Sequence, residues 1–379
     1  MNQQCFHKLI SGQTPCFGVV LLRFFLRVAA QLYLLVVRLR NFLYSEGWLK
    51  AHRANAVVFS VGNITVGGTG KTPLVIWICN TINQKLKIKN QKCGVAILTR
   101  GYKATQNSKL RTQNYTDEPV ILAESCPQAK IIVNPDRVAA ARQAVEKFGA
   151  NVLIMDDGFQ HRRLARNLDI VTVDATCPFG YGKMLPAGLL REPIAVLKRA
   201  DAVVITRCDQ AGENELAELE KKLRLVNPDM IIARSIHKPI YAKSTNGRKI
   251  SLDELKDKRV LAFCGIANPD AFFNTVNELG CDIVGSKIYN DHYRYTDDCL
   301  ADIYEQAADS KADFVLTTQK DWTKIAQLTA VKKNIPLAYL AIELKFISGE
   351  GKITQLIEDA LAGKIAGKNN KVEGSPSAL

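Results

Sequence analysis

One segment limits the folds open to this chain more than any other. The β-branched and aromatic run Ala56–Ser60 reads as a strand, leads into a glycine-rich stretch over Gly62–Thr72, and is followed by a helix through about Asn83. Strand, glycine loop and helix in that order are the setting of a phosphate cradle. Within Thr65-Val66-Gly67-Gly68-Thr69-Gly70-Lys71-Thr72 the glycines let the backbone turn its amides inward, and a helix N-terminus adds its own attraction for anionic oxygens. Lys71 would place a point charge on β- and γ-phosphates, and Thr72 a hydroxyl near Mg²⁺. Pro73 suits the first helical turn, where its missing N–H costs little. Position 65 departs from the G-x-x-x-x-G-K-[ST] pattern, which wants glycine where this chain has Thr65.

Short apolar strands continue the theme. Val95–Thr99, Ile131–Val133, Val152–Met155, Asp169–Val173 and Ala202–Thr206 alternate with helices over Asp136–Phe148 and Glu213–Leu225. A further set runs through Val260–Cys264, a helix near Ala271–Leu279, Asp282–Tyr289, a helix near Asp298–Ala307, Phe314–Thr317 and Leu337–Leu344. The pattern predicts an α/β fold: a P-loop NTPase-like, mostly parallel sheet with helices on both faces and a smaller C-terminal α/β lobe. The expected division is an N-terminal helical segment over 1–50, a P-loop core over 51–230, a lobe over 231–362 and a disordered Gly/Lys/Asn/Ser-rich tail over 363–379. Lys103–Asp117 and Thr176–Arg191 read as loops.

The charge balance points to an anionic partner. Lys and Arg number 51 against 37 Asp and Glu, a formal net charge of +14. Phosphate groups or an acidic membrane surface fit this excess, and no aromatic-and-basic nucleic-acid module is present, so no nucleic acid is expected. No obligate protein partner is evident. The ten cysteines include no C-x-x-C pair and read as reduced thiols of a cytosolic protein.

Phe17–Leu39 is strongly apolar but is divided by Arg23, Arg27, Gln31 and Arg38. Its longest charge-free stretch, Val28–Val37, is shorter than the span of about 20 residues that crosses a bilayer. On a helix the four polar positions fall within about 80° of one another, leaving a broad apolar surface with a narrow basic stripe. Such a helix is expected to lie in a membrane interface with its cations near lipid phosphates.

At the end of Val152–Met155 stand Asp156-Asp157-Gly158. Carboxylates at the C-terminal end of a parallel strand face the ligand crevice, and two neighbouring ones repel unless a cation shares them. Gly158-Phe159-Gln160-His161-Arg162-Arg163 follows, and His292 stands in Asn290-Asp291-His292-Tyr293-Arg294; neither histidine says much alone. Thr206-Arg207-Cys208-Asp209, after a strand, imitates a guanine-reading N/T-K-x-D motif with Arg for Lys. It keeps open an alternative, a P-loop GTPase or metallochaperone-like switch protein.

Taken together the motifs resemble the tetraacyldisaccharide 4′-kinase (lipid A 4′-kinase) family of Gram-negative bacteria over roughly residues 40–345. The segments that carry the resemblance are Gly62–Pro73, Thr99–Tyr102, Asp117–Pro119, Asp136-Arg137, Asp156–His161, Leu185–Gly188, Leu190–Pro193 and Asp291-His292. The family's loop resembles the Thr65 variant. The resemblance implies transfer of the ATP γ-phosphate, with Mg²⁺, to the 4′-hydroxyl of a tetraacyldisaccharide 1-phosphate, giving lipid IVA. It implies a peripheral or monotopic protein at the anionic cytoplasmic face of the bacterial inner membrane. It further implies Asp117 as general base, Asp156 as the Mg²⁺-associated carboxylate, and Asp157 with His292 as a supporting pair. Arg100, Tyr102, Glu118, Arg137, Gln160, His161, Arg191 and Glu192 fall in segments expected to line the substrate site.

Overall fold

The computed structural model describes residues 17–88, 94–101, 117–266, 268–291, 293–326, 328 and 335–364, with the backbone alone at 17, 86–88 and 117. Of the loop expected over 103–117, residues 103–116 lie outside the described residues, as do the tail from 365, Tyr102 and His292, while Asp117 opens a helix rather than ending the loop. The helices are α1 (Phe17–Ser45), α2 (Lys71–Ile88), α3 (Asp117–Ser125), α4 (Arg137–Phe148), α5 (Glu213–Val226), α6 (Leu252–Leu255), α7 (Pro269–Glu278), α8 (Asp297–Asp309), α9 (Gln319–Ile325) and α10 (Glu350–Leu361). The strands are β1 (Val57–Gly62), β2 (Gly94–Thr99), β3 (Lys130–Val133), β4 (Ala150–Asp156), β5 (Leu168–Asp174), β6 (Ala202–Thr206), β7 (Ile231–Ser244), β8 (Lys249–Ile250), β9 (Arg259–Cys264), β10 (Asp282–Ile288), β11 (Phe314–Thr318) and β12 (Leu337–Ser348).

All twelve strands join one sheet in the order β10-β9-β11-β12-β7-β6-β5-β1-β4-β2-β3, with β8 beside β7. The strands from β3 to β7 are mutually parallel, as are those from β12 to β10. The two runs meet at an antiparallel β7–β12 ribbon. Its register shows how they face. The start of β7 pairs with β6 through Ile205↔Arg234, while its end, Tyr241 to Ser244, lies opposite Ala341 to Ala338 of β12, and Leu340 pairs with Thr318 of β11. The carboxyl ends of β6 and β11 therefore point toward each other along the ribbon, and carboxyl ends are where open α/β sheets bind ligands.

Burial explains the strands. β1, β4 and β5 are buried along nearly their whole length, as parallel strands covered on both faces must be. Phe59, Val61, Leu74, Ile78, Val152 and Ile154 share a core with Leu344, Phe346, Ile353, Ile357 and Ala360, so the last strand and helix return to pack against the P-loop half. β7 was not expected as a strand: its sequence alternates polar and apolar residues and contains Pro239, because it is half-covered rather than buried.

The N-terminal helix is longer than the expected Phe17–Leu39. By length and composition Gly18–Ser45 is long and apolar enough to cross a membrane, which the charge-free stretch alone did not suggest. It packs through one face: Leu26, Ala30, Tyr33, Leu34 and Val37, at i, i+4, i+7, i+8 and i+11, join a core with Ile64, Phe159, Met184 and Leu190. Phe24, Phe25, Leu32, Leu35, Val36 and Leu39 stay more than half exposed. The seven described cysteines are free thiols; Cys5, Cys16 and Cys93 lie outside the described residues.

Candidate active site

Lys71 opens α2 directly after the glycine loop, in which Gly67 (φ 118°) and Gly70 (φ 81°) adopt backbone conformations that L side chains seldom hold. A side chain at Gly70 would also meet His237 Nε2 at 2.6 Å. The irregular Thr65 has a local cause: it forms an antiparallel bridge with Leu190, flanked by Val66 N donating to Leu189 O (2.8 Å) and Arg191 N donating to Ile64 O (2.8 Å). An extended, buried position favours a β-branched residue and has no need of glycine. The same pairing stitches Leu189–Arg191 to the start of the loop.

Thr206 and Arg207 are turned onto the loop's far carbonyls. Thr206 Oγ1 donates to Thr69 O at 3.0 Å, and Arg207 Nη2 donates to Gly68 O at 2.8 Å. Arg207 Nη1 also bonds Asp174 Oδ2. Two residues of the apparent guanine-reading motif are thus engaged by the phosphate loop itself.

Asp156 ends β4 and is 2% exposed, and its Oδ1 is buried without a hydrogen-bond partner. Burial first, and the nearby Glu118 carboxylate second, push its carboxyl up to about 7 against the pull of Lys71. Asp157 behaves oppositely. Burial would raise it, but Lys71 and Arg191 outweigh that and hold it at about 2. Arg191 Nη1 donates to both its oxygens (3.0 and 2.9 Å), and Lys71 Nζ lies 3.5 Å from Oδ1. Asp157 has φ 53°, and a side chain at Gly158 would meet Met155 Cβ at 2.7 Å and Ser60 Oγ at 2.9 Å, which accounts for glycine in third place. The loop that follows is held from inside by Arg166, which pairs with buried Asp169 and donates to Phe159 O (2.8 Å) and His161 O (2.9 Å). Nothing local in the sequence marked Arg166 for this.

The donor set suits a hard cation. Asp156 offers an orphaned carboxylate oxygen and Thr72 a hydroxyl in the first turn of α2. Among the described residues no cluster of three or more His, Cys, Asp or Glu could hold a metal alone. Such a site fits Mg²⁺, which takes one or two protein oxygens and completes its shell with phosphates and water.

The other expected residues fall into two groups. Asp117 and Glu118 open α3, with the Asp117 side chain outside the described atoms, and Arg100 is exposed just past β2. Arg137 is buried instead: it donates to Asn134 O (2.7 Å) and to the Asp156 carbonyl (3.0 Å), steadying the end of β4. Asp136 beside it caps α4 by accepting from Val138 N and Ala139 N. Gln160 Nε2 donates to Asn63 O at 2.8 Å. Burial first, then Arg137, hold the His161 imidazole down at about 4. Glu192, 1% exposed, accepts from Arg40 (2.7 Å), Asn41 (3.0 Å), Arg199 (3.0 Å) and Gln160 (3.3 Å). Burial pushes against these cations, yet Arg199, Asn41 and Arg40 keep Glu192 below its usual range. Tyr33 OH adds a bond to Arg191 O at 3.0 Å. Arg191 and Glu192 thus join the site to α1, a link the sequence did not announce.

The family model for tetraacyldisaccharide-1-P 4′-kinase, LpxK, matches residues 22–362. The chain belongs to this kinase family. Tetraacyldisaccharide 4′-kinases resemble it along nearly their whole length: that of Anaeromyxobacter sp. (strain Fw109-5) is 37% identical over 85% of this chain and 87% of the relative. That of Syntrophotalea carbinolica is 36% identical over 95% and 98%. Among solved structures, "apo" form LpxK from Aquifex aeolicus in complex with ATP has a TM-score of 0.67 and 27% identity, covering 89% of this chain and 99% of that one. Membership of the kinase family removes the GTPase-switch alternative.

Proposed function

We infer that this kinase transfers the γ-phosphate of ATP to the 4′-hydroxyl of tetraacyldisaccharide 1-phosphate, forming lipid IVA in lipid A biosynthesis. The observation that carries the reading is the join at Arg191-Glu192. One side chain reaches Asp157 beside the P-loop lysine, and the other holds a helix whose outer face is apolar and exposed. A lipid whose acyl chains stay in a bilayer needs that arrangement if its sugar is to meet a nucleotide.

In this reading the loop amides from Gly67 to Gly70 and the α2 N-terminus hold the phosphates, Thr65 and Val66 anchor the loop's start, and Lys71 and Arg191 turn from Asp157 to the transferred group. Asp156 and Thr72 hold Mg²⁺, which when bound neutralises charge on the phosphate oxygens. Asp117 accepts the hydroxyl proton, and Asp157 and His292 act as a supporting pair. Arg100, Tyr102, Glu118, Gln160 and His161 border the acceptor, while Arg137 and Glu192 act through the groups they fix. The core over 51–230, joined by the end of β12 and α10, supplies one side of the crevice, and the rest of the lobe expected over 231–362 the other. The apolar face of α1 docks on the anionic cytoplasmic surface of the inner membrane.

Incubation with labelled ATP and a disaccharide 1-phosphate lipid tests the reading. A labelled bis-phosphorylated product is expected, and its absence with active nucleotide binding would sink the acceptor assignment. Asp117→Asn is expected to keep nucleotide binding and lose transfer; unchanged turnover removes Asp117 as base. For the membrane, replacing Phe24, Leu32 and Leu35 by Gln should weaken vesicle binding at least about tenfold and leave ATP binding alone. Equal vesicle binding discards the docking face.

A further inference from the structure

A trans peptide carries its C=O and N–H on opposite edges of one plane, so fixing a carbonyl fixes where the next residue's amide points. In the phosphate loop Gly68 O is fixed by Arg207 and Thr69 O by Thr206, at 2.8 and 3.0 Å. The amides opposed to these carbonyls belong to Thr69 and Gly70. Among the described residues neither donates to a protein acceptor. Glycines at 67, 68 and 70 leave the segment free to adopt other turns, so its aim must come from outside.

The residues behind the loop are built to supply it. Consecutive side chains of a strand point to opposite faces. Thr206 ends β6, and Arg207 takes a left-handed backbone (φ 55°), which breaks the alternation and lets both side chains reach neighbouring carbonyls. Arg207 is itself held by Asp174, whose Oδ1 accepts from Thr176 N (3.0 Å) and Thr176 Oγ1 (2.8 Å). Thr206 is fully buried and Arg207 nearly so.

We propose that Thr206, Arg207 and Asp174 form a positioning brace that aims the Thr69 and Gly70 amides at the inner phosphates of a nucleoside polyphosphate, and that this brace sets the preference for tri- and diphosphate over monophosphate. The proposal rests on the P-loop being the nucleotide site, as inferred above. None of the three residues touches the reacting atoms. They act through the loop, and what they contribute is preorganisation, since the amides need not be gathered when the anion arrives.

The test uses the full chain and the probes ATP, ADP and AMP. Thr206→Val keeps the shape and removes the donor, Thr206→Ser keeps the donor, and Arg207→Met removes the fork at similar length. Thr206→Val is expected to weaken ATP and ADP about tenfold and AMP less than about twofold. Arg207→Met should weaken ATP and ADP about thirtyfold with the same spared AMP. Thr206→Ser should recover wild-type affinity to within about threefold, and the KM for the lipid acceptor should stay unchanged in all three. Equal weakening of ATP and AMP, unchanged ATP binding, or Ser behaving as Val would each overturn the brace. Should Arg207→Met fail to fold, the Val/Ser pair still decides. Wild-type protein that binds no ATP would overturn the nucleotide-site reading itself, whereas wild-type binding with indifferent variants removes only the brace.

Discussion

Asp156 and Asp321 occupy comparable places in the two parallel runs of the sheet. Each is almost wholly buried near a strand's carboxyl end, one closing β4 and the other in the first turn of α9 just after β11. Asp321 is satisfied on every side: Gly265 N (2.9 Å) and Thr318 Oγ1 (2.7 Å) donate to Oδ2, and Lys324 Nζ (3.0 Å) to Oδ1. Asp156 keeps an orphaned oxygen, and the arginine beside it bonds its carbonyl rather than its carboxylate. A buried carboxylate without a partner is costly, so a fold keeps one where a ligand will repay it. Burial alone does not tell a structural aspartate from a functional one; the count of satisfied oxygens does.

The contrast breaks first on Asp156→Asn. Transfer should fall at least about 10³-fold, while the melting temperature holds or rises because a penalised charge is gone. A lowered melting temperature would mean that Asp156 supports the fold. Asp321→Ala should invert this pattern. It leaves the buried Gly265 amide without its acceptor and breaks a buried ion pair with Lys324, so urea unfolding should show about 3–5 kcal/mol lost, with the surviving folded fraction still active. Stability equal to wild type would end the comparison.

Acid sharpens it further. His161, in the loop after Asp156, has its folded-state value lowered to about 4 from 6.5 by burial and Arg137. A depressed histidine contributes stability that is complete above pH 6.5 and is lost as pH falls toward 4. After screening by solvent this amounts to about 1–2 kcal/mol. Thermal melts between pH 7 and 4 should therefore slope less in His161→Gln; an unchanged slope assigns the acid sensitivity elsewhere. The smallest effect belongs to Thr318→Ala, which removes the α9 cap and one donor to Asp321 and should cost about 1 kcal/mol, read from the urea midpoint.

What could be read from the sequence was what is held locally. The loop from Gly67 to Thr72, the pair Asp156-Asp157 and the alternation of strands and helices each rest on neighbours within a few residues, and the structure places them together. The role of Thr206 and Arg207 rests on carbonyls 137 and 139 residues away, so the same letters suggested a base-reading motif. Glu192 reads with the acceptor site in sequence because its partners Arg40 and Asn41 lie 152 and 151 residues away. β7 is not legible as a strand because a half-covered strand with Pro239 lacks the apolar run Ala202–Ile205 of β6.

The return of the last strand and helix to the P-loop half governs how the chain can be made. α1 is synthesised before every strand of the sheet. Until β12 and α10 are made, β7 presents an open edge, and Phe59, Val61 and Ile78 lack the cover of Phe346, Ile353 and Ile357. The nucleotide half is complete only when the C-terminus arrives. A ribosome stalled before β12 would leave a half-enzyme with an open edge and an uncovered core, open to aggregation and proteolysis.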